Sequence, residues 1–379
     1  MIKRELYLNK IRQFIDLDFI KVITGVRRSG KSYLLKLIID ELIQRGINEN
    51  NILLIDFELP QYNHIKNREE LDEIVLDFIN SRKNNVYLLF DEIQNVKDWE
   101  ISINSYYKLS NTDVYVAGSN SNLLNGSLAT FLTGRYISIE MYPFSFNEFC
   151  EYNGGLTDPF DEYLKYGGFP LAKEYMTLLD DILASILLND IFKRYEIRNV
   201  ELLFRIINYL MENVGNVISP NLIYNHLKED NLKLTKNTVY AYLNYLAEAG
   251  FLLKLIKEDL ATNKKINGVE KYYLIDHGFL RTDKEKMLEN IVYLELLRQG
   301  YKVTFGKIRD YEVDFICKKD GTMVYIQVSY LLSDEKFTPL LEIKDNYPKY
   351  VITMDKINMS RSGIKHLYVI NFLRNNTQL

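Results

Sequence analysis

The chain is poor in residues that hold metals through sulfur or imidazole. Its two cysteines, Cys150 and Cys317, stand far apart and form no CxxC pair, and His64, His226, His277 and His366 are scattered. This argues against a Cys/His zinc site and for reduced thiols. Long apolar runs are missing too: nothing approaches the ~20 residues needed to cross a bilayer. The opening MIKRELYLNK lacks the apolar centre of a signal peptide, so a cytoplasmic chain with no membrane partner is expected. A large excess of charge is also absent. A net charge of −4 speaks against a surface that clings everywhere to nucleic acid and leaves room for a local basic patch. There is no internal repeat and no low-complexity segment. What is abundant is core material. Of 379 residues, 47 % are hydrophobic and 26 % charged, the balance of a globular protein, in a length that implies two or three domains.

The first third alternates short β-rich runs with amphipathic stretches. FIKVITG, NILLIDF, VYLLFD, DVYVAGS and YISIEMY are apolar enough to be strands buried on both faces, and the alternation predicts a parallel sheet covered by helices. The segment from about 145 to 200 reads as helical, interrupted by a turn at YGGFP (166–170). Three further helical patterns and a β-ribbon then follow in the order of a winged helix-turn-helix, with Thr235 as N-cap and Gly250 as stop of the third helix. Beyond 270, KYYLID, a helix over EKMLENIVYLELLRQG, and the runs YKVTFG, YEVDFICK, MVYIQVSY and KYVITM read as a last α/β region.

Gly25-Val26-Arg27-Arg28-Ser29-Gly30-Lys31-Ser32 fits G-x-x-x-x-G-K-[ST] at every position, between a β-run and a helix start. Glycines let the backbone approach phosphates, and loop N–H groups with the helix N-terminus face the anion. The expected nucleotide-binding stretch runs on to Tyr33. Within it Lys31 would reach the β- and γ-phosphates and Ser32 would ligate Mg²⁺, while Arg27 and Arg28 can point outward. The cofactors implied are ATP and Mg²⁺. In VYLLFDEIQ, Asp91 is assigned to the metal shell and Glu92 to the attacking water. Ser119 and Asn120 end the next β-run, where a polar residue can sense the γ-phosphate; the choice between them stays open. Arg135, just before a strand, is a candidate for an arginine supplied in trans.

Together GVRRSGKS, LLFDEIQ, VAGSNSNLL, LTGRY, YPFSFNEF, YGGFP, NDIFKRY and LENIVYLELL…EVDFI resemble one family, the AAA-type ATPases of bacteria and archaea with an archaeal-ATPase-like core and a DUF4143-type C-terminal domain. The resemblance implies an α/β fold: a P-loop NTPase parallel sheet of the AAA+/ASCE type (1–145), a helical lid (146–199), a winged helix (200–270) and a C-terminal α/β restriction-endonuclease-like domain (271–379). It makes Arg135 the preferred finger and gives Gly167, Gly168 and Pro170 a lid turn against the nucleotide. Asp190 and Arg194 match NDIFKRY, with an inter-helix salt bridge as their expected job.

Nucleases of that type need an acid on a helix, an acid on a strand and Glu-x-Lys on the next strand. Here Glu289 and Asp314 stand against Gln327 and Ser329, so one anion and the cation are lost and the nuclease-like site reads as degenerate; Glu312 remains near Asp314 as a substitute ligand. In the winged helix, Lys236, Asn237, Thr238 and Tyr240 would face the major groove, and Lys264 and Lys265 of the wing would meet phosphates. Against this, residues 200–260 hold six Lys/Arg and seven Asp/Glu, a net of −1, where DNA readers are more basic. Three readings follow. The leading one is an ATP-hydrolysing machine, oligomeric when active, whose C-terminal half engages DNA. The others are a nucleotide-controlled switch that docks a protein partner and an ATP-gated nuclease.

Overall fold

The structure is a computed structural model that describes residues 2–119, 123, 132, 134–175, 177–197, 199–228, 234–260, 264–280 and 283–374. The chain divides into two compact units, Met1–Tyr142 with Glu248–Gly250, and Pro143–Ala247 with Phe251–Leu379.

In the first unit the five apolar runs are strands: β1 (Ile20–Gly25), β2 (Ile52–Asp56), β3 (Val86–Asp91), β4 (Thr112–Ser119) and β5 (Tyr136–Met141). They form one parallel sheet of order β2-β3-β4-β1-β5. Side chains alternate across the strands with period two, so one run feeds two cores. Val22, Phe90 and Val116 join Leu71, Val75, Trp99 and Ile103 on one face. Ile23, Leu89 and Tyr115 join Tyr7, Leu34, Leu35 and Ile38 on the other. The helices supplying those partners are α1 (Glu5–Arg12), α2 (Lys31–Gln44), α3 (Arg68–Asn80) and α4 (Trp99–Tyr107). Asn67 starts α3 through a reciprocal capping box with Glu70, which satisfies two backbone donors at once. The order matters for chemistry. β4 lies between the strand that leads into the glycine-rich loop and the strand that ends in the acids, so three strand ends open on one edge of the sheet.

The second unit begins with α5 (Phe146–Asn153), α6 (Pro159–Tyr166) and α7 (Leu178–Ile186), the last running into a π-helical stretch over Leu187–Phe192 that buries Asp190. Next come α8 (Val200–Glu212), β6 (Val217–Ile218), α9 (Pro220–Lys228), α10 (Lys236–Glu248), β7 (Leu252–Asp259) and β8 (Lys264–Leu274). Thr235 caps α10 as expected, its hydroxyl accepting from the Thr238 N–H at 3.1 Å. After α11 (Lys284–Arg298) follow β9 (Lys302–Ile308), β10 (Tyr311–Lys319), β11 (Thr322–Val328), α12 (Thr338–Glu342), β12 (Lys349–Thr353), β13 (Lys365–Tyr368) and α13 (Val369–Leu373).

The wing expected over 260–271 falls mostly in strand β8, which begins at Lys264 and pairs with β7 from Lys264↔Asp259 onward. The boundary expected at 270 falls inside that strand. β7 also pairs in parallel with β9, Lys257↔Phe305 to Asp259↔Lys307. The hairpin therefore continues into a single eight-stranded sheet of order β13-β12-β11-β10-β9-β7-β8-β6. Three register positions whose partners lie 48 residues apart in sequence leave no local pattern to read.

The GGFP turn is where the sequence put it. Gly167 ends α6 with φ +73°, and a Cβ there would stand 2.1 Å from Asp276 Oδ1. The Gly168 N–H donates to Asp276 Oδ2 at 2.7 Å, and a Cβ on Gly168 would meet the Phe144 carbonyl at 2.4 Å. Both glycines are thus required by close approach. Among the described residues no helix is long and apolar enough to cross a membrane.

Candidate functional site

β1 ends at Gly25, whose absent side chain makes room for the loop: a Cβ would lie 2.6 Å from the Met141 carbonyl and 2.8 Å from Ser29 Oγ. Arg28 (φ +64°) and Gly30 (φ +99°) turn the chain so that Lys31 opens α2. The Lys31 side chain is buried and its ammonium donates to the Gly25 and Val26 carbonyls, each at 3.2 Å. Ser32 is exposed and Tyr33 half-buried. Arg28 points to solvent, and half-buried Arg27 stands 4.0 Å from Glu58. The two arginines therefore leave the cradle clear.

β3 delivers Asp91 and Glu92 to the same edge. Asp91 is 2 % exposed, and burial lifts its pKa to about 6 against a hydrogen bond with Ser32, with Glu92 and Asp56 adding to the rise. Its Oδ1 has no partner, and neither do the buried hydroxyls of Thr24 and Ser29. Unsatisfied buried polar atoms are costly. A cluster of them around an ammonium group and a helix N-terminus is a pocket built for a polyanion and a hard cation. Glu92 adopts φ +53°, is anchored by its N–H to the Ala117 carbonyl at 2.9 Å, and accepts a hydrogen bond from the Gln94 amide. Ser119 ends β4 in register with Gly25 and is buried beside the loop. Asn120 lies outside the described residues.

Arg135 sits elsewhere. It immediately precedes β5, whose first residue pairs with Ile20 at the start of β1, so it occupies the sheet edge opposite the loop, roughly 20 Å away along a six-residue strand. Its guanidinium donates to Asn104 Oδ1 at 2.5 Å. It cannot reach the loop of its own subunit.

Sequence reading missed Arg4. It is 2 % exposed, with φ +49°, and its guanidinium donates to the Ser29 carbonyl at 2.9 Å and the Tyr142 carbonyl at 2.8 Å. The Tyr142 N–H in turn donates to the Tyr7 hydroxyl at 3.0 Å. The loop backbone is held by a residue more than twenty positions upstream, with no motif to announce it. Gln94 was also missed, although it stands in the quoted DEIQ.

In the second unit the nuclease-like residues do come together, around a residue that was not singled out. Lys271 of β8 is 1 % exposed, and its ammonium lies 2.6 Å from Glu312, 3.3 Å from Glu289 and 3.7 Å from Asp314. Burial alone would lower its pKa, but the three carboxylates outweigh burial and raise it. Glu289 accepts from the Tyr273 hydroxyl at 2.7 Å, and Asp314 Oδ2 from the Val328 N–H at 2.9 Å. Burial raises the Glu289 pKa, with Lys271 opposing. The Gln327 carboxamide is engaged at both ends, accepting from the Asp314 N–H at 2.9 Å and donating to the Glu312 carbonyl at 2.7 Å. Ser329 donates to the Leu331 carbonyl at 2.7 Å. Among the described residues no group of three or more His, Cys, Asp or Glu is placed to hold a metal ion.

Of the residues expected to meet DNA, Lys236, Asn237 and Tyr240 are exposed on the first turns of α10 and Thr238 is half-buried. The Lys236 ammonium lies 5.7 Å over the Tyr224 ring, as does that of Lys228 at 5.9 Å. Lys264 and Lys265 are exposed at the start of β8, paired with Asp259 and Glu258 of β7. Gly168 and half-buried Pro170 belong to the second unit, and the polar group of that turn is already taken by Asp276.

A family model described as an AAA domain matches residues 18–150, and a model described as a domain of unknown function, DUF8612, matches residues 157–286. The resemblance predicts a DUF4143-type domain in the C-terminal half; the match is to DUF8612 instead, and it runs across the boundary expected at 270. An uncharacterised protein of Haemophilus influenzae is 39 % identical to this chain over 98 % of both. One of Methanocaldococcus jannaschii is 33 % identical, covering 83 % of this chain and 75 % of that protein. Among solved structures, a Walker-type ATPase of Pyrococcus abyssi is 17 % identical with a TM-score of 0.49, covering 74 % of this chain and 94 % of that one.

Proposed function

The chain belongs to one family with the Haemophilus influenzae and Methanocaldococcus jannaschii proteins and carries an AAA domain over residues 18–150, and from that premise we propose that it binds and hydrolyses Mg·ATP. One observation carries the reading: the orphaned oxygens of Asp91, Ser29 and Thr24 gather around a glycine-rich loop that presents Lys31. Lys31 exchanges its two carbonyl partners for phosphate oxygens. Ser32 and Asp91 would hold Mg²⁺, which when bound neutralises charge on the phosphates. Glu92 takes the proton of the attacking water once Gln94 releases its carboxylate, and Ser119 contacts the γ-phosphate side of the pocket. Arg4 keeps the loop backbone in the geometry that receives the phosphates. Arg135, excluded from its own subunit's loop, acts on a neighbouring copy, so the active form is an oligomer.

The second unit carries the output. The order α8, β6, α9, α10, β7, β8 is that of a winged helix, and the exposed Lys236, Lys228 and Tyr240 with half-buried Tyr224 offer cations and rings to a nucleic acid backbone. DNA is the partner of this half, joined to a restriction-endonuclease-like sheet that does not cut. A second reading, a slow switch docking a protein, is favoured by the hold of Gln94 on Glu92. ATPase rate measured against protein concentration, with and without duplex or single-stranded DNA, separates the two. Turnover that rises with both supports the machine, and slow turnover indifferent to DNA supports the switch. Lys31→Ala should weaken ATP binding ~100-fold or more; tight binding retained by that variant would defeat the loop assignment.

A further inference from the structure

We infer that the ammonium of Lys271 is the resident cation of the acidic pocket in the second unit, standing where a nuclease of the expected type would hold a divalent metal ion. An ammonium group has three N–H donors, and here three carboxylates from a helix and a strand converge on it at 2.6, 3.3 and 3.7 Å. Those are N⁺–H···O⁻ and ion-pair separations. Mg²⁺ would pull oxygens in to ~2.1 Å and demand octahedral order.

The remaining ligand positions are already used. Asp314 Oδ2 takes the Val328 N–H and faces Lys336 at 3.9 Å, Glu289 takes the Tyr273 hydroxyl, and Gln327 spends its oxygen on the Asp314 N–H. The sequence showed a missing glutamate and lysine on β11. The structure shows a lysine arriving from β8 instead, at the centre of the acids rather than beside them. A lysine meant to activate water next to a bound metal would leave the carboxylates free to converge. This one occupies their meeting point and is 1 % exposed, with its charge fully spent on them. The Lys271 ammonium thus holds the place that a divalent cation would take, and the three carboxylates open to one only when the lysine is removed. The pocket shares no residue with the nucleotide site, so one can be disabled without the other.

The test is Mn²⁺ binding followed by electron paramagnetic resonance on the full chain without nucleotide, in an Asp91→Asn background that silences the other acidic site. With Lys271 intact, no Mn²⁺ binding that depends on Asp314 is expected. Lys271→Met should gain about one Mn²⁺ per chain, and Asp314→Asn added to it should remove that gain. If Lys271→Met does not fold, Lys271→Met with Glu312→Gln removes one charge of each sign and keeps Glu289 and Asp314 as ligands. Mn²⁺ bound by the intact-lysine protein and lost on Asp314→Asn would overturn the inference. So would a folded Lys271→Met that gains no Mn²⁺.

Discussion

The phosphate loop and the Lys271 pocket are built from the same parts, a buried lysine among carboxylates, and they end in opposite states. At the loop, Lys31 rests on two backbone carbonyls while Asp91 Oδ1 and the Ser29 and Thr24 hydroxyls stand without partners. At the second pocket, none of the buried side-chain oxygens or nitrogens of Lys271, Glu289, Asp314 and Gln327 is without one. Buried polar groups left open are tolerated where a ligand completes them, and a completed network serves the fold. Satisfaction of the neighbours, rather than the presence of charged residues, separates an open pocket from a closed one.

The comparison can be broken in order of expected effect. Glu92→Gln should keep ATP affinity and cut turnover by ~10²–10⁴, read as single-turnover hydrolysis against equilibrium binding; normal turnover would remove Glu92 from the chemistry. Lys271→Met should cost the second unit about 3–5 kcal/mol, because three carboxylates lose their cation. Chemical denaturation checks this, and a change within error would mean that the pocket is not a closed network. The smallest effect is on pH. Asp91 has a folded pKa of about 6, above its ordinary value, so the folded chain holds that proton more tightly than the unfolded one. Its stabilising contribution without nucleotide is present at low pH and lost as pH rises through about 6. The carboxylate form that the proposed metal role requires prevails only above that point. kcat/KM for ATP should therefore fall about tenfold per pH unit on the acid side, and a profile flat down to about pH 5 would show that Asp91 does not hold the metal.

The loop was legible because its chemistry is contiguous: eight residues fix glycines, lysine and hydroxyl, and an apolar run ending in Asp-Glu is visible without partners. Strand order explains why both meet; the alternation predicted the parallel sheet but not that order. What stayed hidden depends on pairings at long sequence separation. Arg4 is one arginine near the start of the chain, and its carbonyl partners at 29 and 142 carry no side-chain signature. The GGFP turn could be read, but not Asp276, the carboxylate that makes its glycines necessary. Lys271 opens the strand run KYYLID at the end of the presumed wing, and the pattern gave no sign that it would meet Glu289, Glu312 and Asp314.

The shared strand has a practical side for anyone dissecting the chain into fragments. A piece covering 200–270 would strip β7 of its β9 neighbour, baring an edge prone to aggregation. It would also stop one residue short of Lys271, with β8 truncated. The complementary piece from 271 would begin in mid-strand and carry that lysine on a frayed end, with no hairpin to steer it among the acids. Expression trials should keep 143–379 uncut, and poor behaviour of the shorter fragments would reflect where the knife fell rather than a fault in either half.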